Sequence, residues 1–174
     1  MIKIIVLVVL ALVAGLLTYA ATRPGSFRVQ RSIGIQAAPD RIIPLISNFH
    51  QWQAWSPYEK MEPAMERTYA GAKEGVGAVY TWSGKKVGAG RMEILEVVPR
   101  EKVLIKLDFD QPMVAHHLAE FTLNAQGGAT QVTWAMTGPS PYFAKVMGLF
   151  FSMDKMVGKD FETGLANLKA VAER

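Results

Sequence analysis

The chain has 174 residues, half of them apolar, and a formal charge of +4. That is enough apolar material for one ordinary core plus an appendage, and it excludes a disordered chain. The absence of cysteine excludes thiolate nucleophiles, disulfides and sulfur-held zinc or iron–sulfur sites, and basic residues scattered among acids argue against nucleic-acid binding.

Residues 4–21, IIVLVVLALVAGLLTYAA, carry no charge. As a helix they span roughly 27 Å, close to the hydrocarbon thickness of about 30 Å. Two readings compete. A retained single-pass anchor uses Tyr19 at the lipid–water boundary. A cleaved signal segment uses the shorter apolar run before Thr18 and the small residues after it. Length favours the anchor. Lys3 opposes Arg23, Arg28 and Arg31 on the far flank, and the very short amino-terminal tail places the soluble part outside the cytoplasm. The expected boundaries are a segment 1–22, a linker 23–26 around Pro24-Gly25, and one domain over 27–174.

In residues 27–36, FRVQRSIGIQ, the alternation of Phe27, Val29, Ile33 and Ile35 predicts a strand whose inner row includes Arg31. Ala37-Ala38-Pro39-Asp40 opens a helix with proline at a tolerated position, and Pro44 should kink or shorten it. In FHQWQAWSPYEK, residues 49–60, three large aromatics stand three apart. Trp55 and Pro57 read as fold-defining packing, whereas Trp52 and Tyr58 are equally suited to a ligand wall.

The chain then turns β-rich, with strands expected at 79–83, 88–98, 102–109, 113–124 and 130–138, separated by turn residues that favour antiparallel hairpins. GAKEGVG and GKKVGAG read as hairpin loops, since neither stands between a strand and a helix as a phosphate-binding loop would. Strand 102–109 sets Val103, Ile105, Leu107 and Phe109 against Lys102, Lys106 and Asp108, so one face is wet and the other covered. After Ser140-Pro141, apolar residues from Phe143 to Leu168 recur at helical spacing, predicting one long helix, with Gly148 or Gly158 marking bends or close backbone approach.

Together these elements give an α+β domain in which a curved antiparallel sheet wraps a long C-terminal helix. The runs IGIQAAPDRIIPLISNFHQWQAWSPYEK, GVGAVYTWSG, GAGRMEILEVVP and TQVTWAMTG resemble the START-like, or SRPBCC, superfamily over about residues 27–172, nearest its polyketide cyclase/dehydratase-like branch. That resemblance implies a helix-grip fold with a deep apolar cavity between sheet and helix, with Trp52 and Trp55 beside its mouth, Tyr80 and Trp82 on a gripping strand, and Trp134 and Met136 on the last strand. A fold of this kind hosts many functions, so the site must carry the argument.

The candidate ligand-binding set is Arg31, Trp52, Tyr58, Tyr80, Trp82, Phe109, His117, Phe121, Trp134, Met136, Met147 and Phe150. His117 shares the inward phase of Phe121 and Leu123, while His116 points to the other face. A neutral His117 imidazole can orient a ligand or exchange a proton, or it can be an ordinary structural histidine. Arg31 can grip a carboxylate, or pair locally with Glu93, Glu96 or Glu120. No nucleophile motif is present, three histidines lack ligand spacing, and no metal or cofactor is expected.

The leading expectation is a membrane-tethered module that binds a small hydrophobic or lipid-like molecule. The alternatives are a cyclase or dehydratase using Tyr80, His117 and Arg31, and a noncatalytic structural or partner-binding domain whose aromatics are solid core.

Overall fold

The computed structural model describes residues 2–174. The elements run α1 (Ile2–Thr22), β1 (Ser26–Ile35), α2 (Pro39–Ser47), a 3-10 turn (Phe49–Gln51), α3 (Trp52–Trp55), α4 (Pro57–Met61), β2 (Glu66–Gly71), β3 (Ala78–Gly84), β4 (Gly88–Val98), β5 (Lys102–Gln111), β6 (Ala115–Gln126), β7 (Ala129–Pro139), α5 (Tyr142–Met147) and α6 (Met153–Ala172). The seven strands form one antiparallel sheet in the order β1-β7-β6-β5-β4-β3-β2. Hairpins make every neighbour pair except β1–β7, which joins the first strand to the last.

The β1 alternation holds: Val29 and Ile35 are buried, and the outward residues Arg28, Gln30 and Ser32 are exposed. Arg31 does face inward, toward α6. Strand β2 was not among the expected strands, because Glu66-Arg67-Thr68 offers no apolar alternation and only Tyr69 marks its covered side. α2 continues through Pro44 and stops one turn later at Ser47. A proline this near the end removes a single bond and leaves little helix to break.

The tryptophans of the W-x-x-W-x-P segment answer a need created by that stop. The last carbonyls of a helix have no partner within it. Trp55 Nε1 donates to the Leu45 carbonyl at 2.9 Å, and Trp52 Nε1 to the Ile46 carbonyl at 2.8 Å. Asn167 of α6 then donates to the Trp55 carbonyl at 3.0 Å. Three hydrogen bonds thus tie α2, α3 and α6 into one cover for the sheet.

The expected single C-terminal helix is instead two. Gly148 ends α5, residues 148–152 are not helical, and Ser152 starts α6 afresh by accepting from the Lys155 amide. Ser140-Pro141 supplies no side-chain cap to α5. Gly158 matches the alternative reading, close approach: a Cβ there would collide with the Arg31 guanidinium. Arg31 runs past this gap and donates to Asp154 Oδ1 at 2.8 Å and Glu162 Oε1 at 2.6 Å, one turn before and one turn after Gly158. The partners considered from sequence are engaged elsewhere, Glu93 with Arg91, Glu96 with Lys102 and Glu120 with Arg28.

From Phe161 onward α6 packs tightly. Phe161 stacks on Trp134 at 4.0 Å between ring centroids, and Leu165 and Leu168 are fully buried. A Cβ on Gly164 would lie 2.7 Å from Trp134 Cζ3 and 3.0 Å from Pro57 Cδ, two rigid rings. Gly164→Ala is therefore expected to lower stability by about 1–2 kcal/mol in urea unfolding, with overpacking outweighing the roughly 1 kcal/mol that alanine gains as a helix former. An unfolding midpoint at or above that of the unaltered chain contradicts this packing.

Candidate functional site

Between the sheet and the N-terminal half of α6 lies a cavity of about 300 Å³. The strands give it Tyr80, Trp82, Met92, Leu107, Phe109, Ala119, Trp134 and Met136; α6 gives it Met156, Val157, Asp160 and Phe161. Trp52, Tyr58 and Glu59 close a third side, and Val87 stands at the β3–β4 turn. That turn is fixed by Glu62, whose carboxylate accepts the backbone amides of Lys86 at 2.7 Å, Lys85 at 2.9 Å and Val87 at 3.1 Å. A wider hollow of about 690 Å³ lies on the surface beside residues 98–102 and 122–125. It is a shallow, largely polar depression around the 99–101 turn and the ends of β5 and β6, so volume alone does not make it a site.

Of the candidates read from sequence, Trp52, Tyr58, Tyr80, Trp82, Phe109, Trp134 and Met136 line the cavity. Five do not. Arg31 is committed to α6. Phe121 is fully buried beneath the wall, stacked on Trp134 at 5.0 Å. His117 sits between Phe27 and Phe109, with ring centroids 5.0 and 5.6 Å away, outside the lining. Met147 and Phe150 are displaced by the break before α6 and are largely exposed. The sequence reading missed Glu59 and Asp160 because acids on amphipathic helices ordinarily face water. The available signal was Asp160's place one position before Phe161 and three after Val157, on the apolar side of α6.

The polar groups of the cavity differ in what holds them. Glu59 is buried and accepts from the Tyr80 hydroxyl at 2.6 Å and from Arg67 Nε at 2.7 Å. Arg67 also donates to the Met65 carbonyl at 2.7 Å and the Pro63 carbonyl at 3.1 Å. This is a satisfied buried network. Burial, reinforced by the hydrogen bond to Glu59, pushes the Tyr80 hydroxyl above its ordinary range. Burial and then the charge of Asp160 do the same to Tyr58. Asp160 itself is raised by burial, which Lys159 only partly offsets. His117 is lowered, by burial first and by His116 second. Among the described residues two buried side-chain nitrogens have no partner, Trp134 Nε1 and His117 Nδ1. No cluster of metal-binding side chains occurs among the described residues.

Asp160 makes a pH-dependent prediction. Its raised value means that the folded chain holds the proton more tightly than the unfolded chain. The stabilisation is complete below the ordinary value of 3.8 and is lost as pH rises through the raised one. Asp160→Asn should therefore raise the melting temperature at neutral pH, with the difference vanishing below pH 3.8 in a pH series. A lower melting temperature at neutral pH contradicts the assignment. Arg67→Ala, which strands the Glu59 carboxylate, should cost about 3–5 kcal/mol in urea unfolding. A loss under about 1 kcal/mol, ordinary for an exposed pair, would show the network to be solvated.

Comparison with known families matches residues 26–173 to the family described as polyketide cyclase / dehydrase and lipid transport. No curated protein matches. Among solved structures, protein CV1439 from Chromobacterium violaceum aligns with a TM-score of 0.61 at 17% identity, covering 87% of this chain and 99% of that one. The Aha1 protein of Colwellia psychrerythraea gives 0.59 at 16%, covering 84% and 96%. The major latex-like protein 151 of Panax ginseng gives 0.59 at 13%, covering 87% and 100%. At these identities the likeness is one of fold alone.

Proposed function

We propose, from the premise that this chain belongs to the polyketide cyclase/dehydrase and lipid transport family, that it binds a small, mainly apolar molecule in the cavity under α6 while α1 tethers it to a membrane. The observation that carries this reading is the cavity itself, about 300 Å³ walled by aromatic and methionine side chains. That size is at the lower end of ligand pockets, which run from about 300 to 1,000 Å³. Methionines 92, 136 and 156 give the wall adaptability.

The tether rests on α1. Its 21 residues span about 32 Å as a helix, and Ala20 is the only one of them that is buried among the described residues. A core helix would be covered, whereas this one presents apolar side chains all round. The single-pass anchor with an extracytoplasmic domain, with residues 1–22 as anchor, 23–26 as linker and 27–174 as binding domain, is part of the same proposal. No cofactor and no nucleic acid enter it.

An enzymatic reading has one observation in its favour: Asp160 and Tyr58 are a weakened acid and a buried hydroxyl in the same apolar wall. The groups first considered for it are otherwise engaged, Tyr80 with Glu59, Arg31 with α6, and His117 outside the lining.

Titration of the purified full chain with an environment-sensitive apolar dye tests the cavity. Ala119→Phe, at the cavity floor, and Val157→Trp, at its half-buried rim, should each weaken binding by about tenfold or more, equivalent to about 1.4 kcal/mol. Unchanged affinity in both folded variants overturns the proposal.

A further inference from the structure

One end of the sheet gathers features that the cavity does not use. The β1–β7 and β5–β6 registers bring Ser26 opposite Pro139 and Phe109 opposite Ala115, and β3 pairs Gly84 with Gly88. The end of α1, the β5–β6 turn, the β3–β4 turn and α5 therefore all lie at the same end. α6 points its N-terminus that way too, since its C-terminal Lys169 and Glu173 bond Gly34 and Gln36 at the other end of β1.

This end is unusually apolar for a surface. Phe143, Phe150 and Phe151 are 64, 66 and 58% exposed, and Met113 and Val114 on the β5–β6 turn are 62 and 72% exposed. Exposed apolar groups concentrated in this way mark an interaction surface. Two observations identify the occupant. First, the patch is continuous with α1: the Tyr142 hydroxyl donates to the Leu17 carbonyl at 2.9 Å, and α5 packs on α1. Leu17 lies within the apolar run, about 9 Å along the helix before Arg23. A bilayer that holds α1 consequently reaches α5. Second, the rim is basic. Lys85, Lys86, Lys145 and Lys155 make no ion pair among the described residues, whereas of the acids at this end Asp154 is paired with Arg31, Glu62 is held by the backbone amides of the β3–β4 turn, and Asp110 stands near the end of β5. Exposed aromatics inside a lysine rim suit an anionic lipid surface.

We infer that α5, residues 148–152 and the β5–β6 turn form a second, interfacial membrane contact, which seats the sheet end on anionic lipid and turns the cavity's Met156–Val87 rim toward the bilayer. This deepens the proposed function and rests on α1 being a membrane helix. It names the source of the ligand as the lipid leaflet itself. The break at Gly148 gains a purpose, because a continuous helix could not both cover the sheet and lie along the membrane.

The test uses the full chain in vesicles of phosphatidylcholine and phosphatidylglycerol containing nitroxide-labelled lipid. Because the chain has no cysteine, single cysteines carry a fluorophore without competition. Labels at Phe150→Cys and Met113→Cys should lose most of their emission, as should a label at Leu10→Cys, while one at Lys73→Cys in the opposite loop should keep it. If Leu10→Cys is quenched and the labels at 150 and 113 behave like that at 73, the docking surface is wrong and the tether stands. If Leu10→Cys is not quenched either, both are wrong.

Discussion

One helix has to cover the concave side of a sheet far wider than itself. Seven strands about 4.8 Å apart make a sheet of roughly 29 Å, and a helix with its side chains is only about 10–12 Å across. α6 resolves the mismatch unevenly. From Phe161 onward it closes on β1 and β7 through Phe161, Leu165 and Leu168, with Gly164 admitting the Trp134 ring. Its N-terminal half stands over β3, β4 and β5 without filling the space to them, and that space is the cavity. The short helices α2, α3 and α4 cover what α6 cannot reach, held there by the two indole donors on the end of α2.

The polar residues on this inner face sort by the same geometry. Arg31, on the edge strand, reaches across Gly158 to grip α6 from both sides, so its charge serves the position of the helix. Glu59, Arg67 and Tyr80 satisfy one another where α4 meets β2 and β3. Burying such a set without complete pairing would cost several kcal/mol, and complete pairing makes it a rigid wall. Asp160 and the Trp134 indole are left without partners of this kind. With the other polar groups of the cavity paired, its wall is mainly apolar, a surface suited to shape and apolar contact more than to charge.

Much of this architecture was legible in the residues. The residue patterns located β1 and β3 through β7, turn residues separated them, and the helical stripe found the segment that grips them. Four things were not legible. β2 is an edge strand with one covered apolar side chain, too weak a signal to distinguish from a loop. The split between α5 and α6 depends on residues 148–152 leaving the sheet, yet Met147, Leu149, Phe150 and Phe151 are as apolar as any core run, and only Gly148 hinted at the break. Inward phase also proved weaker than lining: Phe121 and His117 face the covered side, but larger neighbours stand between them and the cavity, a third-dimension effect that no one-strand pattern contains. Asp160 and Glu59 were hidden for the opposite reason, being acids at positions where solvent is the default neighbour.

The central claim is that the space beneath the N-terminal half of α6 is an apolar hollow rather than core. Crystals of the chain pressurised with xenon, which enters dry apolar cavities, measure this directly. The account predicts xenon density among Met92, Leu107, Phe109 and Met136, or a bound apolar molecule that excludes it. Side chains of Met156 and Phe109 collapsed into that space, with no density between them, would contradict it.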